Sequence, residues 1–282
     1  MSHGGKMLLN QLIIASLLLI GHGYALAQVS PFEQPPSAQH LRMTTSVEGQ
    51  RLEYLLYRPV KLRVKTPRPL VLFLHGAGER GEELANTLIH GPIQHRNSHR
   101  ELKQSYMLVP QCPKNGWWQP KTIMALLKSV IAEHQEHIDT DRIYVTGLSM
   151  GGYGTWNLIS HYPSFFAAAV PVCGGGELES LTIALQIEAP PEFKATNLAK
   201  ARNVPVWAFH GDKDKAVPHS QSIELTQRLR DAGNLHVKLT VYRGVGHDAW
   251  SQTYNNPKLY DWMFRQRRQT SRKVLAPEIL GP

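Results

Sequence analysis

The chain has 282 residues, of which 42% are hydrophobic and 19% are charged, an ordinary balance for a globular protein with one substantial core. Its formal net charge is +9, but the only dense basic cluster lies near the C-terminus at residues 265–273, so we interpret it as a solvated helix end and tail and expect no nucleic-acid partner. The sequence contains no HExxH motif and no Cys/His ladder, so we expect no metal site.

The N-terminal stretch has the pattern of a secretory signal peptide. Lys6 precedes an apolar run over residues 7–20, and a short flexible segment then ends in Ala-Leu-Ala at residues 25–27. A basic start, a short apolar core and an A-x-A site predict a signal peptide over residues 1–27, cut after Ala27. An uncleaved anchor is the alternative, but a comfortable transmembrane helix needs about 20 apolar residues. We therefore expect a periplasmic or secreted protein with no stable membrane insertion after cleavage.

The rest of the chain alternates between strand and helix patterns. After a proline-containing linker over residues 28–39, the stretch 40–59 alternates polar and apolar side chains around Glu48-Gly49, which predicts an antiparallel hairpin. Short apolar runs then alternate with amphipathic stretches. This order predicts an α/β fold, with a mostly parallel central sheet and helices on both of its faces.

The predicted elements after the hairpin define one domain over residues 40–268 and a C-terminal tail over 269–282. The predicted strands are short apolar runs, at residues 69–75, 105–110, 142–147, 166–173, 204–211 and 236–242. The predicted helices are amphipathic stretches, at residues 122–138, 153–161, 220–232 and 255–267. The least regular segment, 174–203, is where a cap or substrate loop could be inserted. The chain length leaves no room for a large second domain, so we predict a small cap or none.

One serine lies among four glycines in VTGLSMGGYGTW, residues 145–156. The GLSMG part matches G-x-S-x-G between a predicted strand and a predicted helix, which is the context of a nucleophile elbow. The turn is so tight that bulky side chains at Gly147 and Gly151 would collide. The serine would lie at a helix N-terminus, where free N–H groups favour developing negative charge. We therefore interpret Ser149 as a nucleophile rather than as an incidental serine in a glycine-rich turn.

A serine hydroxyl needs a base to remove its proton and an acid to orient that base. After such an elbow the acid comes next in the chain and the histidine last. The loop in FHGDKDKAVP follows one apolar run and GVGHDAW follows the next, so His247 is the candidate base. Asp212 and Asp214 are both candidate acids, although Asp212, directly after a glycine, could merely close an Asx-type turn. Asp248 is discounted because it adjoins His247 and points away from its ring in most loop geometries.

The oxyanion of a tetrahedral intermediate requires backbone donors. The N–H of Met150, the residue after the nucleophile, is the predicted first donor. The second is expected from the glycine-rich loop HGAGERG, where Ala77 is our choice and Gly78 the alternative. Glu79 and Arg80 in this loop could pair or cap locally, or Arg80 could clamp a substrate carboxylate.

Two tryptophans and two cysteines lie near these loops. Trp118 and Trp250 are predicted to line the substrate pocket, with core packing as the alternative. Cys112 and Cys173, the only cysteines, could form a disulfide in an oxidising compartment or pack as reduced apolar groups. Neither has the surroundings of a nucleophile.

The motifs together resemble the α/β-hydrolases of the carboxylesterase and feruloyl-esterase-like group. This group includes proteins described as phospholipase/carboxylesterases and as prolyl-oligopeptidase-type serine hydrolases. The resemblance spans roughly residues 70–250 and rests on six stretches: LFLHGAGERG, VPQCP, VTGLSMGGYGTW, PVCGGGE, VWAFHGDKDKAVP and YRGVGHDAW. The family pattern H-G-x-x-D-x-x-V-P matches five residues: His210, Gly211, Asp214, Val217 and Pro218. The resemblance therefore favours Asp214 over Asp212 as the acid.

The resemblance implies cofactor-free hydrolysis of small or polysaccharide-linked esters. We expect an exported serine esterase with a triad of Ser149, Asp214 and His247, acting on small acyl esters or on feruloyl or acetyl groups of polysaccharides. A prolyl-oligopeptidase-type peptidase and a non-catalytic binding protein on the same scaffold are the alternatives. The sequence predicts neither the acyl specificity nor the oligomeric state.

Overall fold

The computed structural model describes residues 41–47, 50–59, 66–176 and 197–268. These residues belong to one compact unit, Ala38–Pro282. The predicted signal peptide, linker and C-terminal tail lie outside the described residues, as do residues 177–196 of the predicted cap segment. The predicted domain boundaries and the small cap therefore stay predictions. No helix in the described part of the chain combines the length and apolarity needed to cross a membrane.

The strands of the described residues form a single sheet. They are β1 (Leu41–Val47), β2 (Gln50–Tyr57), β3 (Arg68–Leu74), β4 (Tyr106–Pro110), β5 (Ile138–Leu148), β6 (Ala168–Val172), β7 (Val206–Gly211) and β8 (Val237–Tyr242). Their order across the sheet is β1-β2-β4-β3-β5-β6-β7-β8. β1 and β2 form the predicted antiparallel hairpin, and β2 pairs antiparallel with β4. Every later pair, from β4-β3 to β7-β8, is parallel.

The helices cover both faces of this sheet. They are α1 (Arg100–Lys103), α2 (Pro120–Glu133), α3 (Met150–His161), α4 (Ser220–Asp231), α5 (Trp250–Tyr254) and α6 (Pro257–Arg265). Because side chains alternate along a strand, Leu70, Leu72 and Leu74 of β3 pack in one cluster with α2, α3 and α4. Val71 and Phe73 pack in a second cluster with α1, α5 and α6. The predicted α/β-hydrolase fold, with its parallel sheet and N-terminal hairpin, is confirmed.

Helix boundaries differ most from the prediction at α3 and α2. α3 begins at Met150 rather than at Tyr153. Its first turn contains glycines, which are poor helix formers and therefore predict a later start. The tight turn before α3 requires these glycines. α2 spans Pro120–Glu133 rather than 122–138. Its proline stands in the first turn, where a missing N–H costs nothing.

The strand order brings the candidate site loops to one edge of the sheet. β3 leads into the loop of Ala77, β5 into Ser149, β7 into Asp214 and β8 into His247. Because these strands are parallel, their carboxyl ends lie along the same edge. The sheet topology therefore joins loops that are far apart in sequence.

Candidate active site

Ser149 lies in a strained turn between β5 and α3. Its backbone has φ 51° and ψ −117°, a region that a residue with a side chain rarely adopts and that costs about 1–3 kcal/mol. The turn is held by two backbone bonds: the Ser149 N–H donates to the Val172 carbonyl at 2.9 Å, and the Ser149 carbonyl accepts from the Tyr153 N–H at 3.0 Å. This is the geometry that the elbow motif predicts.

The flanking glycines leave no space for a side chain. A Cβ atom at Gly151 would lie 1.9 Å from the Leu74 carbonyl oxygen, and one at Gly147 would lie 2.3 Å from the Gly151 carbonyl oxygen. Both obstacles are backbone atoms, which cannot rotate away. The glycines of G-x-S-x-G are thus explained by the close approach of α3 to the end of β3.

Ser149, His247 and Asp214 form a hydrogen-bonded chain. His247 Nδ1 lies 2.7 Å from Asp214 Oδ2, and His247 Nε2 lies 2.9 Å from Ser149 Oγ. An ionised carboxylate only accepts, so Nδ1 carries the ring hydrogen and Nε2 accepts from the serine hydroxyl. This arrangement can deprotonate the serine during nucleophilic attack.

The Asp214 carboxyl group is buried, but protein groups donate hydrogen bonds to both of its oxygens. Oδ1 accepts hydrogen bonds from the N–H groups of Ala216 and Val217, both at 2.9 Å. Burial alone would raise the pKa of Asp214, but the hydrogen bonds from His210, His247 and Val217 outweigh it and lower the pKa. Asp214 therefore remains ionised and can stabilise a protonated His247 during the reaction.

The other two acids have different partners. Asp212 Oδ1 accepts from the Gly244 N–H at 2.7 Å and so fixes the turn that leads to His247. Asp248 accepts from the Ser251 backbone N–H at 3.0 Å and from its hydroxyl at 2.9 Å, both in the first turn of α5. Of the two candidate acids, Asp214 is the one that reaches the histidine.

The predicted oxyanion donors begin two helical turns. Met150 is the first residue of α3, and Ala77 opens a short 3-10 turn after β3. Among the described residues, neither backbone N–H has an acceptor, as expected for the first residue of a helical turn. The same is true of the Gly78 N–H, so the choice between Ala77 and Gly78 stays a prediction.

The loop of Ala77 is held by side chains around it. His75 is fully buried; its Nδ1–H donates to the Gly76 carbonyl at 2.7 Å, and its Nε2 accepts from the Cys112 N–H at 3.1 Å. Burial lowers the pKa of His75 to about 4, so the ring is neutral. Arg80 donates to the Ala77 carbonyl at 3.0 Å. This contact fits the predicted role of a local cap better than a clamp on a substrate carboxylate.

Trp118 does not line the site as predicted. Its side chain is 1% exposed and its indole N–H donates to the His75 carbonyl at 3.0 Å, with the two rings in edge contact at 4.7 Å. The tryptophan therefore supports the loop from the core side, where it lies beside Leu74 of β3 and Gly154 of α3. The packing alternative is the correct one for this residue.

Trp250 lies beside the triad. Its ring makes an edge contact with the His247 ring at a centroid distance of 5.4 Å and lies the same distance from the His90 ring. The side chain is half-buried, so one part of it faces outward next to His247. Trp250 can therefore contact a bound substrate.

The two cysteines are reduced. Cys112 and Cys173 are both free and buried, so the disulfide alternative does not hold. Burial raises the pKa of Cys112 to about 12 and raises that of Cys173 well above its usual value. Both thiols therefore stay protonated and are poor nucleophiles. The described residues also contain no group of three or more His, Cys, Asp or Glu placed to hold a metal ion.

Two histidines at the site were missed from the sequence. His75 directly follows β3, His210 is the last but one residue of β7, and both precede a glycine. His75 bonds Gly76 and Cys112, and His210 bonds Val217 and Asp214. The repeated His-Gly dipeptide after an apolar run was the available signal.

Comparison with known proteins assigns the family. The family model that describes the prolyl oligopeptidase family matches residues 113–268, which is more than half of the chain. The chain belongs to the prolyl oligopeptidase family. Membership in this family confirms the resemblance to serine hydrolases of the α/β-hydrolase fold.

Curated relatives of this prolyl oligopeptidase family member include ester hydrolases. Poly(3-hydroxyalkanoate) depolymerase C of Paucimonas lemoignei is 28% identical over 162 residues, covering 54% of this chain and 35% of that protein. Esterase YjfP of Escherichia coli strain K12 is 26% identical over 203 residues, covering 60% of this chain and 77% of that protein. The chain spans well under half the length of several curated relatives that it matches.

Solved structures share the fold. A thermostable esterase is 32% identical with a TM-score of 0.64, and the match covers 81% of this chain and 63% of the esterase. The acylaminoacyl peptidase of Pyrococcus horikoshii is 18% identical with a TM-score of 0.62, covering 82% of this chain and 42% of the peptidase. At that identity the second match supports the fold alone.

Proposed function

We propose that the protein is an exported serine esterase that hydrolyses carboxylic esters through an acyl-enzyme. The observation that carries the proposal is the hydrogen-bonded chain from Ser149 through His247 to Asp214, with distances of 2.9 and 2.7 Å. The esterases among the relatives support ester bonds as the target.

The reaction follows from the roles of these groups. Ser149 Oγ attacks the ester carbonyl while His247 Nε2 takes the hydroxyl proton, and the N–H groups of Met150 and Ala77 bind the oxyanion. Collapse of the tetrahedral intermediate breaks the bond to the alcohol, which leaves with the proton from His247. Water then attacks the acyl-enzyme by the same sequence and releases the acid. No cofactor takes part in these steps.

The substrate is a small-molecule or polysaccharide-linked ester, with a small acyl, acetyl or feruloyl group. The half-buried Trp250 ring beside His247 supports an apolar or aromatic group in the substrate. The signal-peptide pattern supports a periplasmic or secreted location. An uncharacterized secreted protein of Arthroderma benhamiae is 34% identical over 199 residues, covering 59% of this chain and 20% of that protein.

The decisive experiment is an ester panel with purified protein. We expect hydrolysis of p-nitrophenyl acetate or a longer p-nitrophenyl ester, or of methyl ferulate, and labelling of Ser149 by a fluorophosphonate probe. Replacing the nucleophile with S149A should lower kcat by about 10⁴-fold or more and abolish labelling. An S149A variant that hydrolyses these esters as fast as the wild type contradicts the mechanism.

A second candidate is a peptidase, which the family assignment favours. The same triad can cleave an amide bond, because the chemistry of acyl transfer is shared. An ester and an amide with the same acyl group separate the two candidates. Comparable kcat/KM values for both favour the peptidase, whereas turnover of the ester alone favours the esterase.

A further inference from the structure

Asp214 accepts a hydrogen bond from a second histidine besides His247. His210, at the end of β7, is fully buried, and its Nε2 lies 3.1 Å from Asp214 Oδ2 and 2.9 Å from the Val217 carbonyl oxygen. A carbonyl oxygen and an ionised carboxylate both only accept. His210 Nε2 therefore carries a hydrogen and shares it between the two oxygens.

The opposite side of the His210 ring is also held. His210 Nδ1 lies 2.7 Å from the hydroxyl oxygen of Ser222 in α4, and that hydroxyl lies 3.3 Å from the Gly174 carbonyl after β6. A ring flip would place carbon atoms against Ser222, Val217 and Asp214. The imidazole is therefore locked in the orientation that points Nε2 at the carboxylate.

The bonds of Asp214 show what this second donor does. Oδ1 is held by two backbone N–H groups at 2.9 Å, which fix one oxygen of the carboxylate. Oδ2 has two donors, His247 and His210. The His247 ring changes charge in the reaction, whereas the His210 ring is fully buried and has a partner on each nitrogen, so His210 is the fixed donor on this oxygen.

We propose that His210 is a positioning residue of the hydrolase site, whose Nε2–H directs Asp214 Oδ2 toward His247 and draws negative charge away from that oxygen. His247 Nε2 then remains an unprotonated acceptor in line with the Ser149 hydroxyl. His210 acts through Asp214 and makes no contact with the reacting atoms. This inference rests on the esterase proposal for its kinetic readout.

Among the described residues, three titratable groups face Asp214 from the elements packed around it. They are His210 from β7, His247 from the loop after β8 and the Cys173 thiol from the end of β6. Burial raises the pKa of Cys173 well above its ordinary value, so the thiol stays neutral. If replacing His210 changes the pH dependence of kcat/KM, the change therefore arises from the Asp214–His247 pair.

The test compares two replacements of His210. H210F fills a similar space without a donor, whereas H210Q places an amide N–H near the position of Nε2. We expect H210F to lower kcat for an ester by about 10- to 100-fold, the range for losing a bond to a charged group, with KM little changed. The acid limb of its kcat/KM profile should move to higher pH, because an unshielded carboxylate favours the protonated His247. H210Q should restore most of kcat and the wild-type limb.

A buried polar residue away from the triad provides the control. Asn234 is 2% exposed and donates to the carbonyls of Ala201 and Val204 at 3.1 and 2.8 Å. We expect N234A to lower the melting temperature without moving the acid limb. An H210F variant with the wild-type kcat and pH profile, or an H210Q variant no better than H210F, overturns the proposal.

Two further measurements cover other outcomes. If H210F does not fold, the variant S222A removes the hydroxyl that anchors His210 Nδ1. A shift of the acid limb of its kcat/KM profile to higher pH supports the proposal, and an unchanged acid limb overturns it. The NMR signal of the His247 ring proton bonded to Asp214 tests the contact without any substrate. It should shift in H210F and return in H210Q, and an unchanged signal overturns the proposal. Wild-type protein that hydrolyses no ester contradicts the proposed function only, because this NMR test stands without turnover.

Discussion

The substitution Gly151→Ala tests whether the elbow depends on close approach of two backbones. An added Cβ atom would lie 1.9 Å from the Leu74 carbonyl oxygen, 2.5 Å from the Leu74 carbonyl carbon and 2.8 Å from the His75 carbonyl oxygen. All three atoms belong to the end of β3 and its continuation. To reach even a tight contact of about 3.0 Å, the start of α3 must move by about 1 Å away from β3.

That movement separates the two sides of the proposed oxyanion site. α3 carries the Met150 N–H, and β3 leads to the Ala77 N–H. A displacement of about 1 Å can cost roughly 100-fold in rate, and overpacking a dense region costs about 1–3 kcal/mol of folding free energy. We expect G151A to lower kcat for p-nitrophenyl acetate by at least about 100-fold and to lower the urea midpoint of unfolding.

The variant Gly154→Ala is a graded comparison on the same helix. The three atoms nearest to its Cβ would be side-chain atoms of Leu74 and Trp118, at 2.9 to 3.0 Å, so a tight contact of about 3.0 Å needs a shift of only about 0.1 Å. We expect a smaller loss of stability and a rate within about tenfold of the wild type, because its strain does not move backbone at the elbow. A folded G151A variant with wild-type kcat, or a G154A variant that loses more activity than G151A, refutes the reasoning.

Three other predictions follow from named contacts. D214A should lower kcat about 10⁴-fold, whereas D212A, which loses only the bond to the Gly244 turn, should cost less than about tenfold; similar losses in an ester assay contradict the assignment. Because the pKa of Asp214 is lowered in the folded state, its stabilisation is present above the unfolded value near 3.9 and is lost as pH falls below it. Urea unfolding from pH 7 to 3 should therefore show a smaller loss of stability in D214N than in the wild type. W118F loses the N–H bond to His75 and should lower the unfolding free energy by about 1 kcal/mol and kcat by about fivefold. W250A should mainly raise KM, and steady-state kinetics that reverse this split contradict the assignment.

The order of elements could be predicted because its signals are local. Continuous apolar runs, the Glu48-Gly49 turn and the G-x-S-x-G motif each depend on a few neighbouring residues, and they predicted the strands, the hairpin and the elbow. The start of α3 was misplaced by three residues. Glycine disfavours helix when judged by propensity alone, and the constraint that places glycines there is the carbonyl of Leu74 on another strand.

The role of a side chain could also be predicted only where its contacts are local in sequence. Met150 and Ser149 could be placed from the motif, since both belong to one turn. Trp118 could not, because its burial depends on α3 packing against the end of β3. The use of Asp212 for the Gly244 turn was equally hidden, since it joins loops from different strands.

The sequence by itself determined which residues carry the proposed chemistry and in which order they follow, because strand, turn and motif signals act over short distances. Only the tertiary structure decided which of them touch. His247 lies 98 residues from Ser149, and the parallel order of β5, β6, β7 and β8 brings their carboxyl ends to one edge. The sharing of Asp214 by His210 and His247 likewise exists only once β7, β8 and α4 have packed together.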